Sequence, residues 1–208
     1  MVFVKQRWKE RRLCCSFAFA AAAAVLLLFG GETLWLFWLA ALLHELGHLL
    51  ALRRLRGRVE QLRFRLSGAE ICYSGCSLSY GDEVLLALAG PGMNLLLACL
   101  GALLARWMPA PWLYRFVGCH LSLALFNLLP ALPLDGGRVL KALLEAHFPL
   151  YGEQAAGQIS AVFGVLLVFI GVTILAKGGN PTLFFAGLVV LRRVLPKKPL
   201  HPAGKLLK

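Results

Sequence analysis

Apolar residues run in long blocks separated by short polar segments. Six blocks approach the roughly 20 residues that a helix needs to cross a hydrocarbon core. They are Leu13–Phe29, Leu34–Leu52, Val84–Ala105, Trp112–Leu132, Ala155–Ala176 and Thr182–Leu195, the last of which is short and ends in Arg192-Arg193. The pattern predicts an all-α polytopic membrane protein with about six transmembrane helices, in one domain over residues 1–208. Basic residues precede the first block, as in a signal peptide. That block is long for such a segment and no small-residue cleavage site follows, so it reads as a retained span.

The connection Arg53–Glu83 has a different period. Val59–Leu66 partly alternates, Ser67-Gly68 is a turn signal, and Ile71-Cys72-Tyr73 reads as a return strand. A small β-hairpin is expected in this first cytoplasmic loop. The alternative is an irregular basic loop lying on acidic lipid.

Composition agrees with the membrane class. Hydrophobic residues make up 59% of the chain and the mean hydropathy is +0.73, against about 45–50% apolar in soluble domains. The net charge of +12 raises nucleic acid as a partner, but no nucleic-acid motif accompanies it and none is expected to bind. The charge follows the membrane rule instead. With the N-terminus in the cytoplasm and six spans, all but three of the 22 Lys and Arg fall on the cytoplasmic side. The exceptions are Arg106, Arg115 and Lys177. Both termini are therefore expected in the cytoplasm. The six Cys read as small hydrophobes or reduced thiols, and Cys72-x3-Cys76 is a weak metal signal.

The second block contains His44-Glu45-Leu46-Gly47-His48, an H-E-x-x-H sequence on an expected helix. Residues i and i+4 share a helix face, so both imidazoles reach one metal ion. Glu45 stands beside the first ligand, where it can take a proton from a zinc-activated water and pass it to a leaving amine. Each ionisable group at mid-bilayer costs about 2.5–3.5 kcal/mol, so a cluster of them calls for a function. Catalytic zinc takes three protein ligands. Asp135 closes the fourth block, in a run broken by Pro130, Pro133, Gly136 and Gly137. Spans two and four run in the same direction, which puts His44, His48 and Asp135 at similar depth. His120 is too far along its helix to join them and is expected to make an internal hydrogen bond. His147 and His201 read as surface residues, and Glu32 lies at the opposite membrane face. Asn127 can hold an extended substrate backbone or tie spans together. Gly90-Pro91-Gly92-Met93-Asn94 is expected to break the third span and to allow close helix approach, in preference to the alternative of a direct role in the site.

These motifs, in this order, resemble the site-2 protease family of intramembrane metalloproteases, over Leu34–Gly137. The resemblance implies zinc held by His44, His48 and Asp135, Glu45 as catalytic acid and base, and Asn127 as a substrate-orienting residue. It also implies a bacterial cell-membrane enzyme that cuts a membrane-protein substrate within the lipid bilayer, with a regulatory membrane protein as a partner. The compact six-span layout is similar to the sporulation factor IVFB subgroup, whose substrate class is a pro-sigma factor. The chain departs from that subgroup in that no nucleotide-sensing domain is expected after the last span. A transporter with broken helices has similar features, but internal repeats are lacking and transport does not require Glu45. A proteolytically inactive adaptor would not need all the catalytic positions.

Overall fold

The computed structural model describes residues 12–15, 31–56, 58–65, 68–74 and 78–194. Helix α1 (Glu32–Arg54) has Glu32 in its first turn and Arg53 and Arg54 in its last. These charges complement the helix dipole at each end. A short sheet follows, in the order β1-β2-β3. Strand β2 (Arg58–Arg65) pairs antiparallel with β3 (Gly68–Ser74), with an irregularity between Val59 and Gln61. Strand β1 (Arg12–Cys15) pairs parallel with β2, Arg12 opposite Gln61 and Cys15 opposite Phe64. This corrects the start of the first expected span: Leu13–Cys15 are strand, their backbone engaged by β2 rather than by a helix. The remainder of that span, 16–29, lies outside the described residues.

Helix α2 (Tyr80–Ala105) begins with reciprocal capping. Asp82 N–H donates to Ser79 Oγ at 3.2 Å, and Ser79 N–H donates to the Asp82 carboxylate at 3.0 Å. The helix then runs unbroken through Pro91, contrary to the expected break at Gly90–Asn94. Proline removes one ladder hydrogen bond, a loss a membrane helix tolerates where neighbouring helices enclose it. Gly90, Pro91 and Asn94 are all buried.

Helix α3 (Pro111–Asn127) stops five residues short of the expected end at Leu132. Residues 128–134 are irregular, and Pro130 and Pro133 have no N–H to continue a helix. Helix α4 (Asp135–His147) then starts afresh. Asp135 therefore opens a new helix rather than closing the fourth span, and its carboxylate sits at the positive end of the α4 dipole. Lys141 of α4 bonds Glu153 Oε1 at 2.7 Å and lies 3.3 Å from Glu145 Oε1. Burial pushes the Lys141 amine down, but the two carboxylates outweigh it and its pKa is raised.

Helices α5 (Gly152–Ala176) and α6 (Thr182–Val194) form a closely packed hairpin. Among the described residues, three helices, α1, α2 and α5, are long and apolar enough to cross a membrane. Helix α3 has 17 residues and α6 has 13, against the roughly 20 of a full span. The interior is built largely from alanine and glycine, while Leu96, Leu100, Val162 and Phe169 face outward. This is the pattern of helices packed through small residues with lipid around them.

The irregular segment rests on α5. Ser160 Oγ accepts from Leu132 N–H at 2.9 Å and donates to Ala156 O at 2.6 Å. Ala131, Leu167 and Val190 form an apolar cluster beside it. Ser160→Ala leaves the Leu132 N–H without its acceptor. It is expected to destabilise the protein by about 1–3 kcal/mol, read as a lowered denaturation midpoint in detergent. An unchanged midpoint would remove this bond as a support of the break.

Candidate metal centre

His44 and His48 lie one turn apart on the buried face of α1. Asp135 reaches them from the start of α4. Its Oδ2 is 3.0 Å from His44 Nε2 and 3.3 Å from His48 Nε2, and the two Nε2 atoms are 3.2 Å apart. All three side chains are buried. Zinc bonds of 2.0–2.1 Å in a tetrahedron separate neighbouring ligand atoms by about 3.3 Å. The three donors therefore already have the spacing that one such ion requires, and together they can hold a metal.

Other contacts orient these groups. His48 Nδ1 lies 2.8 Å from Leu86 O. A carbonyl only accepts, so Nδ1 carries the proton and Nε2 presents its lone pair. The second carboxylate oxygen, Asp135 Oδ1, accepts from Arg138 Nη1 at 3.4 Å. Glu45 is half-buried on the next position of α1, within electrostatic reach of His44, His48, Asp135 and Arg138. Asn127 ends α3, and its Nδ2 donates to Leu123 O of its own helix at 3.0 Å. Among the described residues no hydrogen bond joins Asn127 to the His–His–Asp group.

The preference for Gly90–Asn94 as a helix-approach segment over a direct role in the site is corrected. A Cβ at Gly90 would collide with Nε2 of both His44 and His48, so only glycine leaves the two imidazoles room. One turn later Asn94 lies with Nδ2 3.2 Å from His44 Nδ1 and Oδ1 3.0 Å from His120 Nδ1. His120 thus makes the internal hydrogen bond expected of it. Gly90 and Asn94 are four residues apart, hence on one face of α2. That spacing, beside the buried H-E-x-x-H, was the available signal. Ser160 and Arg138 had no comparable signal, since each acts through a contact made only by the folded chain. His147 is exposed and bonds Leu143 O of its own helix, and Glu32 pairs with Arg115 away from the site.

Fold and site together define a membrane protein with a buried His–His–Asp group able to take a metal ion. Comparison with known proteins supports a particular family. Peptidase family M50 matches residues 104–171, a stretch that includes Asn127 and Asp135. A zinc metalloprotease of Methanocaldococcus jannaschii is 27% identical over 65% of this chain and 40% of its own length. A protein of Synechocystis sp., provisionally named a zinc metalloprotease, is 31% identical over 67% of this chain and 38% of its own. The chain thus spans about two fifths of the length of these curated relatives. The solved site-2 protease of M. jannaschii superposes with a TM-score of 0.65, covering 94% of both chains at 22% identity, which shows a shared fold. These findings support the M50, or site-2 protease, family for this chain.

Gly90→Ala is expected to push the two imidazoles apart. Overpacking of this kind costs about 1–3 kcal/mol, and equilibrium dialysis should show metal affinity lowered by about tenfold or more. Affinity equal to the parent would mean that the two rings are not confined by α2.

Proposed function

We propose that the chain is a zinc-dependent intramembrane endopeptidase in which His44, His48 and Asp135 hold the metal. The observation that carries this reading is the mutual 3.0–3.3 Å spacing of their three donor atoms. The family match and the zinc metalloprotease relatives support both the metal and the class of reaction. Zinc, when bound, supplies Lewis-acid activation of a water and of the scissile carbonyl.

The chain's own residues do the rest. Glu45 takes the proton of the attacking water and delivers it to the leaving amine. Arg138 holds Asp135 Oδ1, which leaves Oδ2, facing the two histidine Nε2 atoms, as the oxygen that would hold the metal. Asn127 binds the substrate backbone through its carboxamide, turning away from Leu123 O to do so. A substrate helix must unwind to expose a peptide bond, and lipid cannot satisfy the freed backbone groups. Addition as a strand to the β2–β3 sheet satisfies them. Among the described residues β3 is paired on one side only, by β2, so its other edge accepts such a strand.

The substrate class is a membrane-embedded signalling protein, such as a pro-sigma factor, in a bacterial cell membrane. A six-span chain with both termini cytoplasmic meets the basic-residue bias. A regulatory membrane protein is the expected partner.

The test uses the parent and Glu45→Gln in vesicles with a panel of single-span membrane proteins. The parent is expected to cut at least one of them and to stop on addition of a zinc chelator. Glu45→Gln should keep its zinc and lose at least about 10²-fold in rate. Cleavage by Glu45→Gln at the parent rate would overturn the role of Glu45. Zinc flux across the vesicle with no cleavage would overturn the enzyme reading in favour of a carrier.

A further inference from the structure

Asn94 and His120 are fully buried, and neither belongs to the His–His–Asp group. They form a chain leading away from it, from His44 Nδ1 through the Asn94 amide to His120 Nδ1, with links of 3.2 and 3.0 Å. Each link requires one donor and one acceptor, so the three groups share a single direction. In the structure Asn94 Nδ2 faces His44 and Oδ1 faces His120. The amide then donates to His44 Nδ1, and His44 carries its proton on Nε2, which donates to Asp135 Oδ2 at 3.0 Å.

Metal binding through His44 Nε2 needs the opposite direction. The lone pair must be on Nε2, so the proton must be on Nδ1, and Nδ1–H needs an acceptor. The only acceptor in the Asn94 side chain is Oδ1. A half-turn of the amide brings Oδ1 to His44 and Nδ2 to His120. His120 Nδ1 must then accept, which moves the His120 proton to Nε2. That nitrogen is buried with no protein partner among the described residues, so it is left as an unpaired donor in this form and as an unpaired acceptor in the other. Both histidines stay neutral throughout, and in each the proton changes nitrogen.

We propose that Asn94 and His120 are positioning residues of the metal centre, which fix the tautomer of His44 by the direction of this buried hydrogen-bond chain. The inference rests on the ligand set proposed above. His48 needs no such device, because the Leu86 carbonyl can only accept. His44 faces an amide that can present either end, and His120 Nδ1 answers it by donating to Oδ1 or accepting from Nδ2. Partners of this outer kind change metal affinity by about 10–100-fold when they are removed.

The first measurement uses the unaltered protein. Histidine-specific ¹⁵N labelling gives signals from five residues, with His120→Phe to identify those of His120. In zinc-loaded protein His120 is expected to carry its proton on Nε2 and His44 on Nδ1. A zinc-loaded protein with His120 protonated on Nδ1 would overturn the proposal. The second measurement is zinc affinity by chelator competition. Asn94→Asp keeps an acceptor for His44 Nδ1–H and should bind zinc at least as well as the parent. Asn94→Leu offers no acceptor and should bind about 10–100-fold more weakly. Equal losses in the two variants, with unchanged melting of both zinc-free proteins, would show that volume and not hydrogen-bond direction matters, against the proposal. Failure of the underlying ligand set looks different: the parent itself would bind no zinc, or His44→Ala would bind as tightly as the parent.

Discussion

A polar group inside a membrane protein has no water to complete its hydrogen bonds, so its partners must be provided by the chain. The rest of this structure depends on meeting that requirement at once for three side chains able to hold a metal. His44, His48 and Asp135 are buried, and each makes contacts outside the group as well as within it. Leu86 O fixes His48, Asn94 reaches His44, and Arg138 holds the second oxygen of Asp135. The helices carrying these partners must approach closely, which explains an interior built from Ala and Gly while Leu, Val and Phe face outward.

The same requirement governs the backbone. Asp135 reaches the histidines because the chain leaves helical geometry after Asn127 and starts a new helix at Asp135. Gly136 and Gly137 pack against the backbone of Leu128 and Ala131, where a Cβ would have no space. The irregular residues need partners that a helix would have given them, and Ser160 supplies one for Leu132 N–H. Helix α5, which carries none of the His–His–Asp group, therefore supports the centre through the segment that delivers Asp135. Lys141, paired with Glu145 of its own helix, ties α4 to α5 through Glu153.

Local chemistry was legible in the sequence where it depended on spacing within one element. The H-E-x-x-H of α1 placed His44 and His48 on one face, and proline with glycine marked a break before Asp135. The hydrogen bond of His120 followed from its distance along the helix. What depended on contacts between elements was not legible. Hydropathy carried the fourth block to Leu132, because Leu128, Leu129 and Leu132 are apolar whether or not they are helical. It could not reveal that Asp135 opens a helix. Pro91 suggested a break that α2 does not have, since the enclosure that makes proline tolerable is a tertiary property. For the same reason Gly90 read as a packing residue, although its missing Cβ is what leaves room for both imidazoles. Leu13–Cys15 read as the start of a span because their pairing with Leu62–Phe64 is set by distant chain.

On the proposed reading, α1 and α4 contribute to a single metal site. Zinc content per purified chain, in detergent, measured for the parent and for Asp135→Ala, tests it most directly. A shared site gives about one zinc per parent chain and little or none in the variant after dialysis. Undiminished zinc in Asp135→Ala would contradict it, as would a parent chain that takes up no zinc when zinc is supplied.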